Sequence, residues 1–269
     1  MNISGFTVIR NGVSLGYPFV ESILSLLPLC DELVISEGYS EDETYSWLER
    51  LQKRYPEKIR LYQERWPGEM PGGQAIGEMQ TRTLKKCRGR WVYLLQADEI
   101  MPQENIPYLQ ELCSPRRPIE HLIGRRRFNS YNVDFAHIID GFQRYDPNPG
   151  YRWAIRLARN RSRVYSGGDG WQLEGRGCSL IGVARLPKPI LHAGYNFPVN
   201  TWRKWVNHAQ LYANHEDYQE RGRIARLRLA EYEQGVLPSS ATTNPLELPL
   251  LIAPLIGRLE YQVREELLS

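Results

Sequence analysis

The stretch "WVYLLQADEI", Trp91–Ile100, runs through five residues suited to a buried strand and then turns polar at Gln-Ala-Asp-Glu. A short apolar run bounded by a turn is the pattern of a strand inside a sheet. Adjacent carboxylates at its end, Asp98 and Glu99, are costly to hold beside a low-dielectric core unless a partner compensates them. What precedes the run decides the class of fold. "GFTVIR" reads as a strand ending at the turn Asn11-Gly12, and "YPFVESILSLLPLC" carries apolar residues at helical spacing. "DELVIS" is a second strand, followed by the polar turn "EGYSEDET", where Ser40 or Asp42 can cap the helix "TYSWLERLQKRY". "KIRLYQ" is a third strand, and the helix "QAIGEMQTRTLKKC" stops at Arg88-Gly89 before "RWVYLLQ". This alternation predicts an α/β protein with a Rossmann-like, mostly parallel central sheet flanked by helices.

In open sheets of this kind ligands bind beyond the carboxyl ends of the strands. Three polar clusters fall there: Arg10-Asn11, Glu37 with the "SED" turn, and Gln96 to Glu99. The topology therefore directs several carboxylates toward one crevice.

Composition sets the outer bounds. The 269 residues carry a formal charge of +3, with 24% charged and 42% hydrophobic residues, as ordinary globular proteins do. So small a net charge does not argue for nucleic acid, and no nucleic-acid module is recognisable. Cys30, Cys87, Cys113 and Cys178 show no metal-ligand spacing and read as reduced thiols. The start "MNISGFTVIRNG" lacks the pattern of a secretory signal, and no stretch reaches the ~20 apolar residues of a membrane span. The expectation is a cytoplasmic protein, with peripheral contact at the inner face of a membrane as an open alternative.

After Pro102 the pattern changes. "ENIPYLQELC" is a short helix, and "EHLIGRRRFNSYN", "YRWAIRLARNRSRVYS" and "CSLIGVARLPKPILHAGY" read as strands between Gly, Asn and Pro turns. From Thr201 the chain is expected to turn helical over "TWRKWVNHAQLYANHEDYQERGRIARLRLAEYEQG", with a Pro-rich apolar tail behind it. The expected division is a domain over 1–197, in halves of about 1–101 and 102–197, and a helical extension over 198–269. Arg residues in "GRRRF" and "RWAIRLAR" read mostly as solvated strand faces, although one or two can meet an anion.

"VIRNG", "SEGYSEDET", "CRGRWVYLLQADE" and, much later, "ILHAGYN" stand in an order that resembles family-2 glycosyltransferases with the GT-A, nucleotide-diphospho-sugar transferase fold. The resemblance covers roughly the first two hundred residues and is thin between Pro102 and Arg152. Glu37 stands where that family usually has Asp, and Gln96 stands at the first acid of its D-x-D motif. Arg82 in "MQTRTLKK" is offset by about two positions from the family's helical Arg.

The resemblance implies a metal-dependent, inverting transfer of a sugar from a nucleotide-diphosphate donor to a hydroxyl on a glycan, lipid-linked or small-molecule acceptor. That is a hexosyltransferase-type activity of polysaccharide or glycoconjugate biosynthesis. Asn11, Glu37, Arg82, Gln96, Asp98 and Glu99 would face the donor. Asp98 and His192 would hold Mg²⁺ or Mn²⁺, ions that favour oxygen ligands. By itself a lone His such as His192 is more often a satisfied core or turn residue, and it must be neutral to ligate. Asp169 in "SGGDGWQLEG" is the candidate base and Trp171 a surface on which a sugar can stack; Glu174 is the reserve base. Asp169 also reads as a turn residue.

Two rival readings remain open. A catalytically inactive GT-A-like protein would bind a sugar nucleotide or glycan without turnover, as the loss of the first D-x-D acid favours. A nucleotidyltransferase would want a Gly-rich, Lys/Arg-bearing segment after the first strand, which "RNGVSLGYPF" lacks. Basic and aromatic residues from Trp202 onward, with the apolar "PLLIAPLIG", leave peripheral membrane contact or a homo-oligomer through the C-terminal region as further expectations.

Overall fold

The computed structural model describes residues 2–68, 70, 73–114, 128–139, 142–144, 153–176, 180–182, 186–195 and 198–236. Its first elements are β1 (Ile3–Ile9), α1 (Phe19–Leu26), β2 (Glu32–Glu37), α2 (Thr44–Arg54), β3 (Ile59–Gln63), α3 (Gln74–Leu84) and β4 (Trp91–Leu94). Next come β5 (Glu99–Ile100), α4 (Asn105–Leu112), β6 (Phe128–Ile139), β7 (Phe142–Arg144), β8 (Trp153–Arg159), β9 (Val164–Gly167) and β10 (Gln172–Gly175). The remainder are β11 (Leu180–Gly182), β12 (Ile190–Tyr195), α5 (Pro198–Leu211) and α6 (Glu216–Glu233).

The central sheet runs β3-β2-β1-β4-β8-β6-β12-β5, with β7 and β11 also paired to β6. Strands β3, β2, β1 and β4 are all parallel, and β8 enters antiparallel to both β4 and β6. This is the mostly parallel, helix-flanked architecture of Rossmann-like and GT-A folds, with α5 and α6 as a helical extension.

Period-two alternation splits the strand residues between two cores. Leu33, Ile35, Trp91, Tyr93 and Leu95 pack with residues of α1, α2 and α4 on one face. Phe6, Val34, Val92 and Leu94 pack with Leu84, Val164 and Leu173 on the other. Helices or a hairpin cover both faces, so these strands read as continuous apolar runs rather than alternating ones. Cys30, Cys87 and Cys113 are buried free thiols, and burial pushes all three above the ordinary thiol range. Cys178, the Gly and three Arg of "GRRRF" (124–127) and the tail beyond 236 lie outside the described residues.

Register brings the strand ends together. Ile9 is level with Glu37, and Glu37 with Gln63, while Phe6 is level with Leu94. The carboxyl ends of β1, β2, β3 and β4 thus open on one edge.

Two features depart from the sequence expectation. The chain does not leave the sheet at the acidic pair. It turns at Gln96, where the Glu99 amide donates to the Gln96 carbonyl at 3.0 Å, and re-enters as β5, antiparallel to β12 with Glu99 opposite His192. The helical run from Thr201, whose sequence marks no break, is two helices. His215 is extended (φ −109°, ψ 112°) and α6 begins with Glu216 and Asp217, acids that suit a helix N-terminus. The break folds α6 back on α5, where a Cβ at Gly222 would overlap that of Ala209. Rings from both helices stack at the bend, Tyr212 on Tyr218 at 4.5 Å.

His208 lies among those rings, 5.8 Å from Trp205 and 5.6 Å from Tyr212, with its Nδ1 buried and without a hydrogen-bond partner. Burial, reinforced by the Lys204 ammonium, lowers its pKa to about 3. The unfolded chain takes up this proton near pH 6.5 and the folded chain does not, so stability falls as pH drops through that window. His208→Phe is expected to remove a slope of up to about 1.4 kcal/mol per pH unit from urea denaturation between pH 6 and 4.

Candidate active site

The first part of the strand edge is a loop built on αL backbone. Asn11 and Tyr39 both have positive φ, 53° and 55°, an uncommon conformation for residues other than glycine. They are held by crossed bonds: the Asn11 amide donates to Ser40 Oγ at 2.8 Å, and the Glu41 amide to Asn11 Oδ1 at 2.9 Å. Glu37, fully buried, accepts from the Tyr39 and Ser40 amides at 3.1 and 2.6 Å and from Gln63 Nε2 at 2.9 Å. Its carboxylate shapes the loop from inside. Asp42 ties the same loop to helix α2, accepting from the Thr44 amide at 2.9 Å and the Ser14 amide at 2.8 Å.

The acidic turn forms the second part. Asp98, His192 and Lys204 are each about nineteen-twentieths buried, and they meet. Lys204 Nζ donates to Asp98 Oδ2 at 2.7 Å, and His192 Nε2 stands 3.2 Å from the same oxygen. Burial alone would raise the Asp98 pKa, but the Lys204 ammonium and the His192 ring outweigh it and hold the carboxyl well below its usual range. The Ala193 amide donates to the Asp98 carbonyl at 2.7 Å, fixing the turn against β12.

Glu99 points elsewhere. It pairs with Arg156 of β8 and accepts from the Gln96 amide at 2.9 Å. Its pKa is raised by burial, which the Arg156 guanidinium and the His192 ring offset only in part. Gln96 turns its amide outward to donate to the Gly170 carbonyl at 2.9 Å.

That carbonyl belongs to the third part, the β9–β10 turn. Gly168 and Gly170 have φ of +50° and +86°, and Asp169 sits between them. Tyr212 at the end of α5 donates its hydroxyl to Asp169 Oδ2 at 2.7 Å. Trp171 is half-buried, packed on the core of the α1 face. Glu174 accepts from the Tyr165 hydroxyl at 2.7 Å within the hairpin.

Of the residues expected from sequence, Asp98 and His192 come together, and Gln96 links their turn to the Asp169 loop. Asn11 and Glu37 form a separate cluster on the same edge. Arg82 joins neither: it lies on the exposed side of α3, paired with Glu78 one turn earlier at 2.9 Å. Sequence reasoning missed Lys204, Arg156, Tyr212 and Gly194. Lys204 stands in "TWRKW", where helical periodicity leaves open which of two adjacent cations faces inward. The uncompensated acid at 98 was the signal that could have singled one out. At Gly194 a Cβ would overlap both Lys204 Nζ and Asp98 Oδ2. Gly194→Ala is expected to cost about 1–3 kcal/mol, as overpacking does, read from urea denaturation.

A divalent ion needs several donors, and the set here is thin. Among the described residues no three His, Cys, Asp or Glu side chains group around a metal position. Gln96 is turned to a backbone carbonyl, Glu99 is bound to Arg156, and an ammonium stands on the one remaining acid, Asp98. The residues as arranged do not fit Mg²⁺ or Mn²⁺ unless Lys204 first gives up Asp98.

No protein-family model matches the chain, and no curated protein matches it. Among solved structures it is similar to S. aureus TarS 1–349 in complex with UDP-GlcNAc, at 14% identity and a TM-score of 0.45, covering 80% of this chain and 68% of that one. A longer TarS structure is covered over 39% of its length. The mannosyltransferase PcManGT from Pyrobaculum calidifontis, in complex with GDP-Man and Mn²⁺, is 13% identical with a TM-score of 0.42, over 99% of this chain and 83% of that one. A nucleotidyl transferase from Methanothermobacter thermautotroptrophicus is 13% identical with a TM-score of 0.39, over 85% and 99%.

Proposed function

We propose that this chain is a glycosyltransferase that moves a sugar from a nucleotide-diphosphate donor to a hydroxyl acceptor, with inversion. The observation that carries the reading is the meeting of Asp98, His192 and Lys204 at the carboxyl end of β4, linked by Gln96 to a glycine-flanked Asp169. A parallel sheet offers its ligand crevice at that edge. The nucleoside lies along the Asn11 and Tyr39 loop, which Glu37 supports from within. The diphosphate meets the Asp98 cluster. Trp171 offers an aromatic face to the sugar, and Asp169 takes the acceptor proton as its oxygen attacks the anomeric carbon.

A screen of nucleotide sugars by thermal shift tests this. A ligand at a hundred times its Kd adds about 2.7 kcal/mol of stability. One donor class is expected to stabilise the protein while other nucleotides do not, and a flat screen would reject the reading.

One observation favours the binding-protein alternative: Asp169, the candidate base, already accepts a hydrogen bond from Tyr212. Donor hydrolysis separates the two readings, because a binding protein stabilised by the donor would leave it intact. The acceptor is a glycan or lipid-linked hydroxyl. Exposed Ile224 and Leu227 beside Arg223 and Arg228 on α6 support contact with an anionic membrane surface. Flotation with anionic vesicles, but not neutral ones, is the expected result. Among the described residues no helix is long and apolar enough to cross a membrane.

A further inference from the structure

We infer that the ammonium of Lys204 takes the place of the divalent cation, so that the donor diphosphate binds at Asp98 without a metal. The inference rests on the proposed nucleotide-sugar reading and specifies how that site carries its positive charge.

Three observations point the same way. Lys204 Nζ stands 2.7 Å from Asp98 Oδ2, both groups are buried, and His192 Nε2 approaches the same oxygen at 3.2 Å. The ammonium therefore occupies the Asp98 oxygen that an ion held by this carboxylate would use. Backbone geometry is fitted to it as well. Only glycine at 194 leaves room for Nζ and Oδ2 together, and the Tyr17 ring lies 5.5 Å from Nζ on the opposite element, where a cation is attracted to the ring face. The third observation is one of charge. An Asp-x-Asp pair and a divalent ion balance each other. With Gln96 in place of the first acid, one carboxylate and one ammonium balance too. Gln96 is neutral and Glu99 is matched by Arg156, so Asp98 and Lys204 close the charge balance of the turn between them.

An ammonium carries three N–H donors, and Asp98 takes one of them. Lysine binds phosphate as a point charge, without the bidentate geometry of arginine. Asp98 holds the amine in place, and its charge meets the diphosphate when the donor enters. The α5 helix is anchored for this task close to the β1–α1 loop. A Cβ at Gly16 would overlap the Asn200 amide one turn before Lys204, and Asn200 Nδ2 donates to the Gly16 carbonyl at 3.4 Å.

The test is nucleotide binding by calorimetry on the full chain, using UDP and GDP in EDTA and again in Mn²⁺, with Mn²⁺ binding to the free protein followed by paramagnetic resonance. The wild-type protein is expected to bind one nucleotide in EDTA, with less than a twofold gain from Mn²⁺, and to show no stoichiometric Mn²⁺ site. Lys204→Met is expected to lose at least tenfold in EDTA and to gain from Mn²⁺, because Asp98 Oδ2 and His192 are then open to the ion. Lys204→Arg is expected to keep most of the EDTA binding. Wild-type binding that appears only with Mn²⁺, or a tight Mn²⁺ site on the free protein, would overturn the inference and leave the glycosyltransferase reading intact. Failure of every nucleotide to bind, with and without the ion, would reject both. The wild-type comparison decides even where Lys204→Met does not fold.

Discussion

Alanine at position 98 is expected to destabilise the protein by about 3–5 kcal/mol, the usual cost of leaving one partner of a buried ion pair uncompensated. Lys204 would then hold its charge beside the Tyr17 ring without the Asp98 carboxylate that it meets in the native chain. A shift of the urea midpoint measures this, and an unchanged midpoint would mean that Asp98 and Lys204 do not depend on each other. The double variant Asp98→Ala/Lys204→Met is expected to recover part of the loss, since it removes both charges together. Nucleotide binding should disappear in the single and the double variant alike. The same pair sets an acid limit. A carboxyl held below its ordinary value contributes stability that is complete above the unfolded pKa, about 3.9. That contribution is lost only as pH falls through the lower, folded value. Within the acid limb, wild type should therefore outlast Asp98→Asn down to pH 4 and converge with it below.

Asp169→Asn is expected to leave donor affinity intact while lowering transfer by about 10²–10⁴-fold, the contribution of a positioned general base. The amide keeps the shape of the turn and can still accept from Tyr212, so a loss confined to turnover isolates the proton transfer. Tyr212→Phe removes the hydroxyl from Asp169 Oδ2 and leaves the carboxylate in place. Its effect on turnover should be much smaller than that of Asp169→Asn. Near wild-type transfer in Asp169→Asn would move the base elsewhere. Glu174 is then the next carboxylate to replace, although Tyr165 already holds one of its oxygens.

The parallel half of the sheet was legible because β1, β2 and β4 are largely apolar on both faces and each strand from β1 to β4 ends in a polar turn. Helix positions followed from 3.6-residue spacing. The same logic brought Asp98 to the strand edge, and a motif resemblance named His192 as its companion. Lys204 could not be read in this way. Its neighbour Arg203 has the same charge, and only the docking angle of α5 decides which cation enters the core. Glu37 was legible as an acid at the end of β2 but not as one turned inward. Three donors from the following loop and from β3 capture it, and those contacts depend on loop conformations with positive φ at Tyr39. The break between α5 and α6 was hidden by a sequence that stays polar and helix-compatible across Asn214, and it becomes visible only when Tyr212 stacks on Tyr218.

Helix α5 touches two stations of the site. Lys204 reaches Asp98, and eight residues on, roughly 12 Å along the axis, Tyr212 reaches Asp169. One helix and the residue that follows it thus tie the acidic turn at Asp98 to the glycine-flanked turn at Asp169. Modularity is the casualty. A chain cut at 197 would keep every described strand of the central sheet and lose the cation that meets Asp98. A C-terminal segment exchanged with that of a distant relative would bring a different cation, or none, to Asp98. The helical extension is thus a structural part of the Asp98 cluster, and a change in one is expected to be felt in the other.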